Sequence, residues 1–376
     1  MKIIYLLLIY FLLIGCGGAN KTNKNRDINI SKPSKVKKHF AVGYMPSWSI
    51  PWFDESSYKS SKIATVDSLF SHIVISFAKP NLTFNSKDWS GTGIEFSSDL
   101  NSTKKAIKLL QNRGVKVLLA IGGESYKSWQ PLANEYSQNI STSVHKKALK
   151  DLVRYLNLDG VDVDYEIQGA DTANITRYYK SILAIKEAIG NKILTIAAWS
   201  TGADCTANTI NTIGCENKIS YWGGNAGRER LLFKKFEQNG QNLKSLFNYI
   251  SIMSYDGGID RFDPISFYKN YQSIYKGPIA LGMEIPAEGW GGAELVAKNN
   301  DALDCNQTSM ISGNSYITYT RKHPYSIESF INFLNSQTNS GIMLWSIYKK
   351  REGTVNCPKA VNYKNFINTI KNKGYI

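Results

Sequence analysis

The sequence predicts an α/β fold, a (β/α)8 TIM barrel with enlarged βα loops, on three observations. Eight short, β-branched apolar runs recur from His39 onward. Amphipathic stretches with apolar residues at helical spacing separate them. The runs are apolar on both faces, as strands of a parallel sheet covered on both sides should be. The first two strands are expected at Phe40–Tyr44 and His72–Phe77, with a helical pattern over Lys62–Phe70 leading into the second. Leu100–Asn112 carries Ala106, Ile107, Leu109 and Leu110 on one face, and Gly114 supplies a C-terminal stop. The third strand follows at Val115–Ile121, then a helix over His145–Leu156 and the fourth strand at Leu158–Asp164. Ile175–Ile189 repeats the helical pattern before Gly190 and the fifth strand, Ile193–Trp199. A helix over Arg228–Phe236 precedes strands at Tyr249–Met253 and Pro278–Met283. Helix Ile327–Leu334, with Ser326 as N-cap, leads to the eighth strand at Gly341–Trp345, and a helix over Tyr363–Ile370 completes the series. An open doubly wound sheet is the competing architecture, but it usually has fewer units and a phosphate-binding turn, which is lacking here.

The N-terminus reads as an export signal. Met1-Lys2 precedes an apolar run from Ile3 to Gly15, too short to span a bilayer and the right length for a signal-peptide core. It ends in Leu13-Ile14-Gly15-Cys16, which resembles a bacterial lipobox; an ordinary signal peptide with a chance cysteine is the plainer alternative. On the first reading residues 1–15 are a lipoprotein signal peptide, Cys16 carries a lipid anchor, and residues 16–38 form a basic tether. Seven Lys/Arg residues lie between Gly17 and Lys38 against Asp27 alone, so the tether suits an anionic membrane or envelope polymer. Much of the formal charge of +15 needs no nucleic-acid partner to explain it, and no recognition module accompanies it. Residues 39–376 are expected to be one catalytic domain, since no linker after Lys38 separates a second. The 284–340 interval is the longest, but a compact extra domain is not expected in it. Apart from Cys16 four cysteines remain, Cys205, Cys215, Cys305 and Cys357, an even number that suggests disulfides in an exported chain. Cys205–Cys215 would staple a loop and Cys305–Cys357 would clip a late one, while two free pairs or crossed pairing stay open.

Four scattered histidines offer no metal-ligand spacing, and neither a Gly-rich phosphate loop nor a G-x-S-x-G elbow is present. No cofactor and no metal are therefore expected. The chemistry concentrates instead on Asp159-Gly160-Val161-Asp162-Val163-Asp164-Tyr165-Glu166. Period-2 geometry points Asp162, Asp164 and Glu166 to one side of the fourth strand, successive carboxyls about 6.5–7 Å apart along it. Leu158, Val161 and Val163 occupy the other positions, so the carboxyl side is the barrel interior. Burying ionised carboxylates costs several kcal/mol each unless they are paired or neutralised. No lysine or arginine is embedded in the nearby strands, so the set should titrate together and keep at least one proton near neutral pH. A protonated Glu166 at the open, C-terminal end is what a general acid needs. Two other readings compete, a solvated acidic turn and a metal site, but valine and tyrosine interleave the acids, the spacing misses a calcium loop, and a barrel metal site would draw single ligands from several strands.

At these residues the chain resembles the family 18 glycoside hydrolases, the chitinase family. D-G-V-D-V-D-Y-E is similar to its D-x-x-D-x-D-x-E signature. Ala120-Ile121-Gly122-Gly123 resembles the S-x-G-G motif of strand three, and Met253-Ser254-Tyr255-Asp256 is similar to M-x-Y-D on strand six. Trp345 closes strand eight where the family keeps a tryptophan beneath the reacting sugar. Gly43-Tyr44 and Ser76-Phe77-Ala78 resemble its first two strands, so the resemblance runs from about His39 to the C-terminus.

The resemblance implies a retaining mechanism in which the substrate supplies its own nucleophile. In it Glu166 is the acid and base, Asp164 and Asp162 share charge behind it, and Tyr255 orients the sugar's acetamido group. Substrate contacts would come from Tyr44, Phe77, Gly122, Gly123, Met253, Asp256 and Trp345. Ala120 departs from the family's serine, and Asp162 would rely instead on Tyr44 or water. Six further tryptophans, Trp48, Trp52, Trp89, Trp129, Trp222 and Trp290, fall after strands on the expected active face, and Trp199 ends the fifth strand. Glu284, just past the seventh, could bind substrate or bridge a loop. The resemblance favours an endo-acting chitinase on β-1,4-linked N-acetylglucosamine polymers, with a shallow groove and a monomeric, exported, lipid-anchored enzyme. The alternatives are an endo-β-N-acetylglucosaminidase on glycoprotein glycans and a non-catalytic sugar-binding barrel, which typically lacks the acid.

Overall fold

Eight strands form the core of the structure: Phe40–Pro46 (β1), His72–Ala78 (β2), Lys116–Gly122 (β3), Gly160–Asp164 (β4), Ile193–Trp199 (β5), Tyr249–Met253 (β6), Ile279–Glu284 (β7) and Ser340–Trp345 (β10). All neighbours are parallel, and β1 pairs with both β2 and β10, so the sheet closes into a barrel in the order β1-β10-β7-β6-β5-β4-β3-β2. This computed structural model describes residues 39–53, 57–205, 226–256, 263–287, 295–299, 306–312, 315–320, 326–350 and 359–376, with 306–312 and 315–320 described as backbone only.

The helices lie outside: Leu100–Asn112 (α1), Gln130–Asn134 (α2), Val144–Tyr155 (α3), Thr172–Ile189 (α4), Arg228–Gln238 (α5), Leu243–Leu246 (α6), Pro264–Ile274 (α7), Ile327–Ser336 (α8) and Tyr363–Asn372 (α9). Local chemistry sets their ends. The Asp99 side chain accepts from Ser102 N at the start of α1, and Asp171 accepts from Ala173 N and Asn174 N at the start of α4. Ser326 and Ser329 form a reciprocal capping box on α8, as the Ser326 reading anticipated. Gly190 ends α4 at φ 62°, a backbone region that favours glycine.

One expectation is corrected. Residues 62–70 form turns, not a helix. Ser61 and Thr65 hydroxyls bond Tyr58 O and Ser61 O, and Asp67 accepts from Leu69 N, so side chains take backbone partners that a helix would need. The helix α7 was not anticipated, although Asp263 capping Ser266 N ahead of Pro264 is a start signal. Between β7 and α8 the chain also holds an antiparallel ribbon, Asn306–Ser312 (β8) and Ser315–Thr320 (β9), besides the expected helix.

Alternation along the strands sorts two apolar groups. Val161, Val163 and Tyr165 join the large outer core beneath the helices, while Val42, Tyr44, Val74, Leu118, Ala120, Ala197, Tyr249 and Met343 line the barrel interior. At the N-terminal end Phe40, His72 and Tyr249 close the interior, with ring centroids 5.0 Å apart for His72–Tyr249 and 5.2 Å for Phe40–Tyr249. Burial there holds the His72 imidazole down at about 4, so it stays neutral. The functional groups gather at the opposite end, where parallel strands of a barrel expose their βα loops.

Candidate active site

The acidic strand β4 delivers its carboxyls in a graded row. Asp162 is fully buried, Asp164 is 3% exposed, and Glu166 stands past the strand end, half-buried at the mouth. Two hydroxyls donate to Asp162: Tyr44 Oη to Oδ2 at 2.8 Å and Thr195 Oγ1 to Oδ1 at 2.5 Å. Burial lifts the Asp162 carboxyl to about 6, and these two bonds hold it from rising further. Burial, then the charges of Glu166 and Asp162, push Asp164 well above the usual carboxylate range, against the pull of Arg228. Desolvation raises Glu166 to about 7, with Arg228 and Lys127 lowering it and Glu124 and Asp256 raising it. A shared proton near neutral pH is thus the state the environment favours.

Ala120 lies in register beside Asp162 on β3, and Thr195 lies in register on the other side, on β5. Tyr44 is thus a partner of Asp162, as expected, and the second is a threonine from the following strand. That contact was not legible, because it joins residues separated by 33 positions.

Gly122 and Gly123 let β3 turn over the row. Gly122 sits at φ 111°, and a Cβ there would lie 1.9 Å from Asp164 O and 2.6 Å from Trp129. Gly123 N donates to Asp164 O at 2.9 Å, and the space its side chain would need is filled by the Phe77 ring. Both glycines thus act by close approach of backbone to backbone or ring.

An aromatic wall stands beside the carboxyls. Trp345 stacks on Phe77 with centroids 5.7 Å apart and meets Tyr44 edge-on at 5.9 Å, while the half-exposed Trp48 leans on Phe77 at 5.8 Å. The Ser76–Phe77 and Trp345–Ser346 peptide bonds are cis. Met253 lies at the end of β6, buried. Tyr255 and Asp256 follow it, half-buried, and Tyr255 Oη lies 3.8 Å from Met343 Sδ. Burial and the surrounding carboxyls push the Tyr255 phenol well up, so it remains a hydroxyl donor. The other tryptophans divide. Trp52 and Trp129 are buried, Trp52 Nε1 donating to Pro46 O at 2.7 Å, and Trp89 Nε1 donates to Ser98 O. These three serve packing rather than the mouth. Trp222 and Trp290 lie outside the described residues.

Three further features emerge. Arg228, the first residue of α5, is a fully buried cation beside the row, supplied by a helix rather than by a neighbouring strand. Glu284 ends β7 in register with Trp345 and pairs with Lys349 at 2.7 Å, so it bridges to the segment after β10. Cys205 is disulfide-bonded, while Cys16, Cys215, Cys305 and Cys357 lie outside the described residues. Among the described residues no group of three or more His, Cys, Asp or Glu is arranged to hold a metal ion.

The family model described as Glycosyl hydrolases family 18 matches residues 41–349. A RuBisCO-associated protein of Glycine max is 29% identical over 94 residues, 25% of this chain and 32% of that protein, so the chain spans about a third of this curated relative. The crystal structure of a GH18 chitinase from Pseudoalteromonas aurantia is similar at a TM-score of 0.51 with 17% identity, covering 82% of this chain and 94% of that one. A fungal endo-β-N-acetylglucosaminidase from glycosyl hydrolase family 18 gives a TM-score of 0.50 with 14% identity, covering 88% of this chain and 97% of that one. At such identities these likenesses concern the fold.

Proposed function

The chain belongs to glycosyl hydrolase family 18, and from that premise we propose that it is an endo-acting chitinase using substrate-assisted, retaining catalysis. The observation that carries the reading is the row Asp162–Asp164–Glu166, closed at its inner end by two hydroxyl donors and open at Glu166 beside the Trp345–Phe77 wall.

The chemistry follows from that order. A 2-acetamido sugar seats its apolar face on Trp345. Glu166, raised to about 7, carries a proton at neutral pH and passes it to the glycosidic oxygen as the C1–O bond breaks. The sugar's acetamido oxygen attacks C1, giving an oxazolinium ion, while Tyr255 donates to that oxygen and Asp164 accepts from the acetamido N–H. The positive charge is met by the preorganised carboxylate pair, with Asp162 taking up the proton that Asp164 releases. Glu166, now ionised, removes a proton from the incoming water. Water adds to C1, the ring opens, and the configuration is retained. Gly122, Gly123, Met253 and Asp256 shape the subsite around the reacting sugar.

Release of products from chitin oligosaccharides and from an N-glycoprotein, each set beside Glu166→Gln, tests this reading. Turnover of the first substrate alone is expected, with a loss of about 10²–10⁴-fold in the variant. Binding without turnover in the parent would place the chain among non-catalytic barrels, and turnover only of the glycoprotein would favour an endo-β-N-acetylglucosaminidase. The N-terminus carries a separate proposal: the protein is exported and lipid-anchored through Cys16, which metabolic palmitate labelling, lost in Cys16→Ala, would reveal.

A further inference from the structure

Behind the carboxylate row, outside the barrel wall, lies a polar cluster that the proposed mechanism does not use. Arg228 and Glu229 open α5, and both side chains are fully buried. The guanidinium Nε donates to Glu229 Oε1 at 3.0 Å, Nη2 makes a second, shorter bond to the same oxygen, and Nη1 donates to Ile167 O at 3.0 Å. Three rings enclose the cation: Tyr178 at 5.2 Å, Tyr165 at 5.7 Å and Trp199 at 5.7 Å from ring centroid to guanidinium carbon. Tyr165 and Tyr178 are themselves stacked, with centroids 4.1 Å apart.

Arg228 and Tyr178 touch the segment that bears the acid. Tyr165 precedes Glu166 and Ile167 follows it, so the residues on both sides of the acid are held by one guanidinium, by ring contact before and by a hydrogen bond after. Burying such a cation is unfavourable unless its donors are used and its charge is matched. Glu229 supplies most of that match, yet the guanidinium also lies within electrostatic reach of Asp164 and Glu166.

We propose that Arg228 is a positioning residue for the reaction: it clamps the Tyr165–Ile167 segment and places a permanent buried positive charge behind Asp164 and Glu166. The proposal rests on the reading of Glu166 as the acid, but its geometry does not depend on which glycan is cleaved. The charge keeps the row from retaining too many protons, so that Glu166 stays ionised once it has donated and can then take a proton from water. Arginine suits the role because its planar fork serves Glu229 and Ile167 together, which a lysine ammonium does not. The other charged groups facing Glu166 are Glu124 and Lys127 from the loop after β3, Asp256 after β6, and Asp164 on β4.

The test measures the Glu166 titration directly, by ¹³C NMR of the side-chain carboxyl in the full-length protein, together with kcat and KM on a fluorogenic N-acetylchitobioside. Three variants are compared: the neutralised pair R228M/E229Q, the charge-retaining Arg228→Lys, and Lys146→Met. Lys146 is another buried cation, paired with Glu187 away from the site. In R228M/E229Q the Glu166 midpoint should move upward from about 7 by roughly one pH unit, with kcat falling more than KM changes. Arg228→Lys should keep the midpoint near its parent value yet lose kcat, because the Ile167 bond is gone. Lys146→Met should lower thermal stability and leave the midpoint in place. A folded R228M/E229Q protein with an unmoved midpoint would overturn the proposal, as would full kcat in Arg228→Lys. If the parent turns over no acetamido sugar, the proposed function fails, whereas the NMR midpoint still decides the role of Arg228.

Discussion

Thr195 donates its hydroxyl to Asp162 Oδ1 at 2.5 Å from β5, opposite the strand on which Ala120 offers Asp162 no hydroxyl. The inner carboxyl thus keeps two donors, Tyr44 and Thr195, and its upward shift is limited by both. A strand on the other side of β4 thus supplies the hydroxyl that Ala120 does not.

Thr195→Val removes that donor while keeping the side chain's shape. A buried carboxyl that loses a hydrogen bond costs on the order of 1–3 kcal/mol and holds its proton more tightly. The acid limb of kcat/KM should therefore move to higher pH. In the T195V background, Ala120→Ser should restore part of the shift, since its hydroxyl would sit in register with Asp162 on the neighbouring strand. A pH profile identical in Thr195→Val and parent would show that this bond does not tune the row.

The parent profile itself follows from the midpoints of Glu166 and Asp162. On the proposed mechanism, as pH rises through about 7, Glu166 loses the proton that it donates as the acid. As pH falls through about 6, Asp162 becomes protonated and the row loses the charge that meets the cationic transition state. Initial rates under kcat/KM conditions should form a narrow bell with its maximum between about pH 6 and 7. Constant rates from pH 5 to 8 would contradict this assignment of acid and charge.

The legible part of this protein is what local periodicity encodes. The eight strands follow from apolar runs, and the interior direction of Asp162 and Asp164 follows from their alternation with Val161 and Val163. The strand ends shift by a residue or two because register with neighbours, not composition, decides them: β4 begins at Gly160, whose missing side chain lets Ile193 O approach. The turns at 62–70 escaped because serine, threonine and aspartate bonded the backbone locally. Thr195 and Arg228 were illegible for a different reason. Each reaches the row only once the barrel has closed and α5 has docked on it, and no spacing in the chain announces a contact across tens of residues.

Stability should depend on pH with an uncommon sign. Asp162 titrates at about 6 when folded against 3.8 for an ordinary aspartate, a difference of about two units. Below about pH 4 both states carry the proton and the group has no effect. Between about pH 4 and 6 the native state binds the extra proton, so unfolding free energy falls as pH rises, by about 3 kcal/mol at about 1.4 kcal/mol per unit. Asp162→Asn should flatten this slope in urea titrations at a series of pH values. An unchanged slope in that variant would assign the pH dependence to other groups.

The paired glycines provide the sharpest separation of strain from function. Gly122 and Gly114 both have positive φ, 111° and 87°, so alanine is strained at either, on the order of 1–3 kcal/mol. Only their surroundings differ. A Cβ on Gly114 meets nothing within 4 Å, whereas one on Gly122 would lie 1.9 Å from the carbonyl oxygen of Asp164. Gly114→Ala should therefore lower the melting temperature and leave kcat intact. Gly122→Ala must push β3 away from β4, displacing Asp164 and Gly123, whose N–H holds that carbonyl at 2.9 Å. It should lose activity by an order of magnitude or more beyond any loss of stability, because about 1 Å of misplacement at a reacting centre can cost roughly 10²-fold. Equal kcat values in the two folded variants would mean that the close approach of β3 to Asp164 serves packing alone.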